Sequence, residues 1–387
     1  MVERREWVRP LTAGLMAAVV GFASSFAVVL EGLRAMGASP GQAASGLLAL
    51  CLAMGLLGAV LSARLRLPVS IAWSTPGAAL LATTAAPAGG FATAAGAFLV
   101  AGLLVVVAGL WKPFGRAVAA IPGTIAGAML AGVLLGLCLA PFKAIGAMPA
   151  LALPIVIAWG VMMRLNRLWA MPVALLVTVA AVLIDGSAAA ELPAGAPLLP
   201  HLEVLMPVFD GQAIVGIGLP LFLVTMASQN VPGLAVLRAN GYHPVPGPLF
   251  VATGAVSMLA APLGGHAVNL AAITAALCAG PEAAEDPRRR WLAAVVAGLA
   301  YVVIGAAATV ATVIAATAPP VLIQAVAGLA LVGAFGGALT AALAVPAERE
   351  PALITFLVTA SGISFWGIGG AFWGLLAGGV FWVWLRR

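Results

Sequence analysis

Apolar residues in this chain come in long, nearly charge-free blocks, of which Phe91–Leu110 and Trp291–Ala316 are the clearest. About 20 such residues are needed for a helix to cross the hydrocarbon core of a bilayer. The pattern predicts fourteen membrane segments, at 11–36, 42–63, 68–86, 90–111, 118–141, 147–163, 168–185, 212–239, 246–262, 265–280, 291–316, 319–344, 351–367 and 369–385. The expected fold class is an all-α polytopic membrane protein. The one long polar connection, Gly186–Gly211, contains the Pro-rich stretch Leu192–Pro200 and separates seven segments from seven. The first apolar run continues into the chain with no small-residue cleavage site, so no cleavable signal peptide is expected.

Composition sharpens this picture. The 387 residues are 63% hydrophobic and 8% charged, against roughly 25% charged in soluble domains. The 46 glycines and 27 prolines do not oppose helices in lipid, where neighbouring segments re-satisfy the backbone. A net charge of +6 reads as a topology signal. With the N-terminus in the cytoplasm, every Lys and Arg except Arg34 and Lys143 falls on the inner side, as the positive-inside rule requires. Both termini are then cytoplasmic, and no nucleic-acid partner is expected. No Gly-rich loop ending in Lys-Ser/Thr is present, so the chain is not expected to hydrolyse a nucleotide. Cys51, Cys138 and Cys278 lie scattered in apolar runs and read as packing residues. No cluster of metal ligands and no nucleophile–base pair stands out, so neither a cofactor nor an enzymatic activity is expected.

A repeat organises the chain. Leu33-Arg34-Ala35-Met36-Gly37-Ala38-Ser39-Pro40 recurs as Leu237-Arg238-Ala239-Asn240-Gly241-Tyr242-His243-Pro244. One copy closes segment 1 and the other segment 8. An odd number of segments per half sets the copies on opposite sides, which predicts two inverted repeats of seven. Segments 3 and 10 are each interrupted. In Leu67-Pro68-Val69-Ser70-Ile71-Ala72-Trp73, Pro68 and the β-branched and aromatic residues favour extended chain. Ser74-Thr75-Pro76-Gly77 then begins a half-helix, with Thr75 expected as N-cap and Pro76 as first helical residue. In segment 10, Gly264 and Gly265 free the backbone before His266, and Asn269 is positioned to cap the half-helix after it. Paired interruptions at matching positions of inverted halves point to a carrier's binding site. Half-helix N-termini there offer unpaired N–H groups and a positive dipole end to an anion, and a carboxylate fits.

Polar residues inside the segments are the remaining candidates. His266, at the break of segment 10, suits proton exchange near neutral pH, or a neutral ring bonded to a free carbonyl. Ser228-Gln229-Asn230 makes a polar step in segment 8, mirrored by Ser24-Ser25 in segment 1. Gln229, Asn230 and Ser25 can bind a substrate or join helices. Glu31 and Arg34, three apart, read as a pair on one helix face, with Glu31 a second choice as proton carrier. Trp73 can stack on an aromatic ring. The expected substrate-binding set is thus Ser25, Trp73, Ser74, Thr75, Gly77, Gln229, Asn230, His266 and Asn269.

Four stretches carry a family resemblance: Val20-Gly21-Phe22-Ala23-Ser24-Ser25-Phe26-Ala27-Val28-Val29-Leu30, Ser70-Ile71-Ala72-Trp73-Ser74-Thr75-Pro76-Gly77-Ala78-Ala79-Leu80-Leu81, Gly109-Leu110-Trp111-Lys112-Pro113-Phe114 and Ile354-Thr355-Phe356-Leu357-Val358-Thr359-Ala360-Ser361-Gly362. They resemble the BenE benzoate/proton symporter family over essentially the whole chain. The resemblance implies benzoate uptake driven by protons across a bacterial inner membrane, and the family is similar in plan to uracil/xanthine permeases. It further implies a core domain (11–111 and 212–316) moving against a gate domain (118–185 and 319–385), with substrate between segments 3 and 10. By the same resemblance His266 stands where nucleobase permeases carry a substrate-binding acid or amide, and Gln229 near their segment 8 carboxylate. Homodimers are common in such folds. The alternatives left open are a carrier for another small anion or a nucleobase, and an anion channel.

Overall fold

In the computed structural model, which describes residues 2–185 and 201–385, the apolar blocks form a mostly helical polytopic membrane protein. Eight helices are long and apolar enough to cross a bilayer, and Pro149–Leu165 and Gly370–Leu385 are shorter apolar helices. The first half comprises α1 (Val2–Ala23), α2 (Phe26–Ala35), α3 (Pro40–Leu65), strand β1 (Ile71–Trp73), α4 (Thr75–Thr83) and α5 (Gly90–Leu110). It continues with α6 (Lys112–Ala119), α7 (Gly123–Ala147), α8 (Pro149–Leu165) and α9 (Ala170–Asp185). The second half opens with α10 (Gly211–Ala213), α11 (Leu219–Thr225) and α12 (Val231–Ala239), one continuous helix joined by π turns at Ile214–Gly218 and Met226–Asn230. Then come α13 (Pro246–Ala260), β2 (Val268–Leu270), α14 (Ile273–Ala279), α15 (Trp291–Gly305) and α16 (Ala308–Thr317). The chain closes with α17 (Pro320–Ala342), α18 (Arg349–Ala360), the short strands β3 (Ser364–Phe365) and β4 (Ile368–Gly369), and α19 (Gly370–Leu385).

Local chemistry sets several ends. Ser39 and Gln42 form a capping box ahead of α3, with Pro40 in its first turn. Asp210 accepts from the Ala213 N–H at the start of α10. Three expectations change in detail. The predicted connection 112–117, together with the first two residues of the predicted segment 118–141, forms the extra helix α6, and the membrane helix α7 starts only at Gly123. The predicted segment 351–367 is helical only to Ala360, and a hairpin with Trp366 at φ 52° replaces its end. Twelve helical residues rise about 18 Å, less than the roughly 30 Å of a hydrocarbon core. Within the predicted connection Gly186–Gly211, Leu192–Pro200 lies outside the described residues. Its end packs on the helices as extended chain, through Glu203 N to Ser45 Oγ (2.8 Å), Leu205 N to Pro262 O (2.7 Å) and Val208 N to Ala92 O (3.0 Å).

Helix pairs close on small residues. α3 packs on α15, α5 on α13, and α7 on α17. A Cβ placed on Gly298 would lie 2.5 Å from the Gly55 carbonyl oxygen, and one on Gly55 2.6 Å from that of Gly298. Gly102 and Gly254 face each other in the same way, as do Gly109 and Gly247. Lipid offers no hydrophobic gain for helix association, so such backbone-to-backbone approach supplies the packing.

Candidate functional site

The two interrupted segments meet. β1 and β2 pair antiparallel, Ile71 opposite Leu270, Ala72 opposite Asn269 and Trp73 opposite Val268. Ser74 N to Ala267 O (3.0 Å) and Ala271 N to Ser70 O (2.9 Å) extend the ladder at both ends. Pro68 and the residues after it favour this extended run. Gly264, at φ +88°, makes the turn into the second strand that an L side chain resists.

A cavity of about 60 Å³ lies beside this ribbon. Four expected site residues line it: Ser25, Trp73, Thr75 and Gln229. Ser24, named in the sequence as part of the polar step of segment 1, also lines it, and Gly21, Met54, Ala72, Ala271, Ala272, Thr274 and Tyr301, outside the expected set, complete the wall. Tyr301 and Thr274, hydroxyl side chains within apolar runs, were detectable signals among them; Gly21 and Met54 gave none. The starts of α4 (Thr75) and α14 (Ala272, Thr274) both border the cavity, which brings the positive ends of two helices to its wall. Ser24 and Ser25 occupy the break between α1 and α2, and Gln229 the π turn of Met226–Asn230. The polar steps of both halves therefore coincide with irregular helix, where π turns frequently mark functional sites. Trp73 Nε1 donates to Ser25 Oγ at 2.8 Å, and Ser25 Oγ donates to Gly21 O at 3.0 Å. The Thr274 hydroxyl, in a residue 5% exposed, has no partner among the described residues.

The other expected residues build the frame behind the cavity. Ser74, and not Thr75, is the N-cap of α4: its Oγ accepts from Gly77 N (3.1 Å) and from Thr225 Oγ1 (2.9 Å). Helical geometry already at Thr75 leaves that side chain to the cavity. Gly77 gives α4 room, since a Cβ there would sit 2.5 Å from Leu221 Cδ1. Asn230 Oδ1 accepts from Leu270 N at 2.9 Å, satisfying a donor of β2. Asn269 does not cap α14, whose N-cap position is Ala272; its Nδ2 donates to Leu270 O instead (3.0 Å). His266 is fully buried, edge-on to Phe98, with Nε2 2.9 Å from Ser74 O. That carbonyl accepts, so Nε2 carries the proton and Nδ1 is left without a partner among the described residues. Glu31 is outside the cavity, on α2, where it accepts from Gln324 Nε2 of α17 at 2.9 Å. Asn230→Leu should strand the Leu270 N–H at a cost of about 1–3 kcal/mol; the check is a lower unfolding temperature in detergent, with Asn230→Asp, which keeps the acceptor, closer to wild type.

A separate apolar slot of about 180 Å³ is lined among others by Phe22, Phe26, Leu175, Thr178, Val182 and Ile323. Phe22 stacks on Phe26 with ring centroids 5.3 Å apart and contacts Trp73 at 5.6 Å. Phe22 of the slot wall thus touches Trp73 of the cavity wall.

Comparison with known proteins gives four likenesses. Residues 7–383 match the family model described as BenE, benzoate membrane transport protein. The chain is 40% identical over 373 residues to the inner membrane protein YdcO of Escherichia coli, covering 96% of this chain and 95% of that one. It is 30% identical over 376 residues to the benzoate membrane transport protein of Acinetobacter baylyi, covering 97% and 95%. Among solved structures it resembles the transmembrane domain of a cyanobacterial bicarbonate transporter, BicA, with a TM-score of 0.63 and 19% identity over 92% of this chain and 98% of that one. That last likeness concerns the fold alone.

Proposed function

The chain belongs to the benzoate membrane transport family, and from that premise we propose that it carries benzoate or a similar small aromatic carboxylate inward with a proton, by alternating access. The single observation that carries the reading is the contact of Trp73, in the wall of the hydroxyl-lined cavity, with Phe22, in the wall of the apolar slot. The carboxylate lies in the cavity, at the first turn of α4 and within reach of Thr75, Gln229 and Thr274. In that turn Pro76 has no N–H, while Gly77 and Ala78 already donate to Ser74, so Thr75 supplies the backbone donor. The ring lies in the slot. A dry apolar cavity of about 150 Å³ accommodates benzene, and the slot's 180 Å³ is of that size. The cavity itself is small beside the roughly 300 Å³ of a typical ligand pocket, so binding requires the surrounding helices to part.

The motion we propose is that of a core (11–111 and 212–316) against a gate (118–185 and 319–385), in fourteen segments arranged as two inverted sevens with both termini cytoplasmic. Packing supports the symmetry. Exchanging the halves turns α3–α15 into α13–α5, α8–α9 into α18–α19, and α2–α4 into α14–α12, while α7–α17 and β1–β2 map onto themselves; all these pairs are in contact. The slot lies between residues of the two bodies, Phe22 and Phe26 in the core and Leu175, Val182 and Ile323 in the gate. His266 braces the ribbon through Ser74 in this reading and does not touch the carboxylate.

The test is uptake of labelled benzoate into proteoliposomes, with and without an inward proton gradient. Stimulation by the gradient is the expected result. Transport of a small inorganic anion without benzoate uptake would overturn the substrate. Thr274→Val and Gln229→Ala each remove a hydrogen bond to a charged group, worth about 1.5–3 kcal/mol. Each should therefore raise the half-saturating benzoate concentration about tenfold or more; unchanged values would remove those residues from the site.

A further inference from the structure

Among the described residues, Glu31 is the only Asp or Glu within the eight candidate membrane spans, of which the first runs Trp7–Ala35 and the fifth Arg167–Ile184, or within the two shorter apolar helices. It is half-buried on α2, and its partner, Gln324, is the only polar side chain in α17 before Thr340. The hydrogen bond from Gln324 Nε2 to Glu31 Oε1, 2.9 Å long, joins residue 31 of one proposed body to residue 324 of the other. Arg34, three residues along α2, is the charged neighbour; its guanidinium donates to Thr312 O of α16 at 3.3 Å and feels the charge of Glu31. Of the other elements packed on α2, α4, α16 and α17 carry no titratable group. α3 contributes Cys51 and, near its far end, Arg64, and α1 carries its charges in its first two turns.

We propose that Glu31 is the proton-linked tie between the two bodies: ionised, it holds α2 to α17 through Gln324, and protonated, it lets them part. The proposal rests on the alternating-access reading above. The physics is linkage. A carboxylate in an apolar setting needs a donor. While the tie is made, the Gln324 amide supplies one. Once the bodies slide, that donor is gone and the ionised form is disfavoured. The parted arrangement therefore binds a proton more tightly than the tied one, and by reciprocity a proton favours parting. The step balances with nothing further: one proton from the outer solution adds to a Glu31 carboxylate oxygen and leaves to the inner solution after the motion.

Glu31→Gln keeps the shape of the side chain and removes the titration. In proteoliposomes, proton-driven benzoate accumulation should fall about tenfold or more, within the usual range of coupling between sites, while benzoate–benzoate exchange persists. Independently of any substrate, nitroxides on Ala86→Cys and Ala150→Cys, both exposed positions, report the distance between the bodies. That distribution should shift in wild type between acidic and alkaline buffer. It should stop responding in Glu31→Gln. In Gln324→Leu the response should likewise be lost, because the carboxylate then lacks that donor in both arrangements and the proton no longer favours either. Accumulation and pH response like wild type in Glu31→Gln would overturn the proposal. Absence of benzoate uptake in the wild type would sink the substrate reading alone. The distances then decide: no pH response in wild type, or an unchanged one in Glu31→Gln, overturns the tie.

Discussion

Gly298→Val is expected to remove most of the folded protein. At the crossing of α3 and α15 a Cβ on residue 298 would meet the Gly55 carbonyl oxygen at 2.5 Å and the Ala59 nitrogen at 2.8 Å. Neither atom can rotate away, because both belong to helix backbone. The helices must separate, and the reciprocal contact of Gly55 with the Gly298 carbonyl is lost with them. Overpacking typically costs about 1–3 kcal/mol when side chains can adjust, so a clash with fixed backbone belongs at or above the top of that range. Folded proteins have only about 5–15 kcal/mol in hand. The check is the fraction eluting as a single species and its unfolding temperature. Gly136→Val is the control, since nothing lies within 4 Å of a Cβ there. Equal behaviour of the two variants would mean that the crossing is looser than its geometry.

Ser74→Ala is expected to weaken benzoate binding about tenfold or more while leaving the β ribbon in place. Two roles are separable at this residue. Its backbone joins the strands, through Ser74 N to Ala267 O and through the carbonyl that accepts from His266; alanine keeps both. Its hydroxyl caps α4 and accepts from Thr225; alanine loses both. Removing an N-cap costs about 0.5–2 kcal/mol, and a buried hydroxyl left unpaired about 1–3 kcal/mol more. The first turn of α4, where the carboxylate is proposed to sit, takes that loss directly. The measurement is benzoate protection against thermal unfolding, with Ser74→Thr retaining it. Protection in Ser74→Ala equal to wild type would detach the α4 cap from binding.

Much of the architecture was legible along the chain. Long apolar blocks announced the membrane, and Pro68 with its β-branched neighbours, then Gly264-Gly265, announced two extended interruptions. The repeated Leu-Arg-Ala pattern aligned Ser24-Ser25 with Ser228-Gln229. Less of the site was legible. Ser74 and Thr75 are adjacent hydroxyl residues, either able to cap; only the path of the chain made Ser74 the cap and turned Thr75 to the cavity. Asn269 looked like a cap and is not, because α14 begins three residues later than the strand needs a partner.

The sequence by itself determined that the chain is a helical membrane protein and that segments 3 and 10 are interrupted, because the hydrophobic effect, proline and glycine act on a few neighbouring residues. The tertiary structure alone decided that Tyr301 and Met54 face Gln229 across one cavity, that Asn230 serves Leu270, and that Glu31 meets Gln324. The reason is physical. In lipid a helix is apolar on every face, so hydropathy does not distinguish a side that meets lipid from one that meets another helix. Only the crossing of distant segments, set by glycine contacts such as Gly55 with Gly298 and by the pairing of β1 with β2, brings those side chains together.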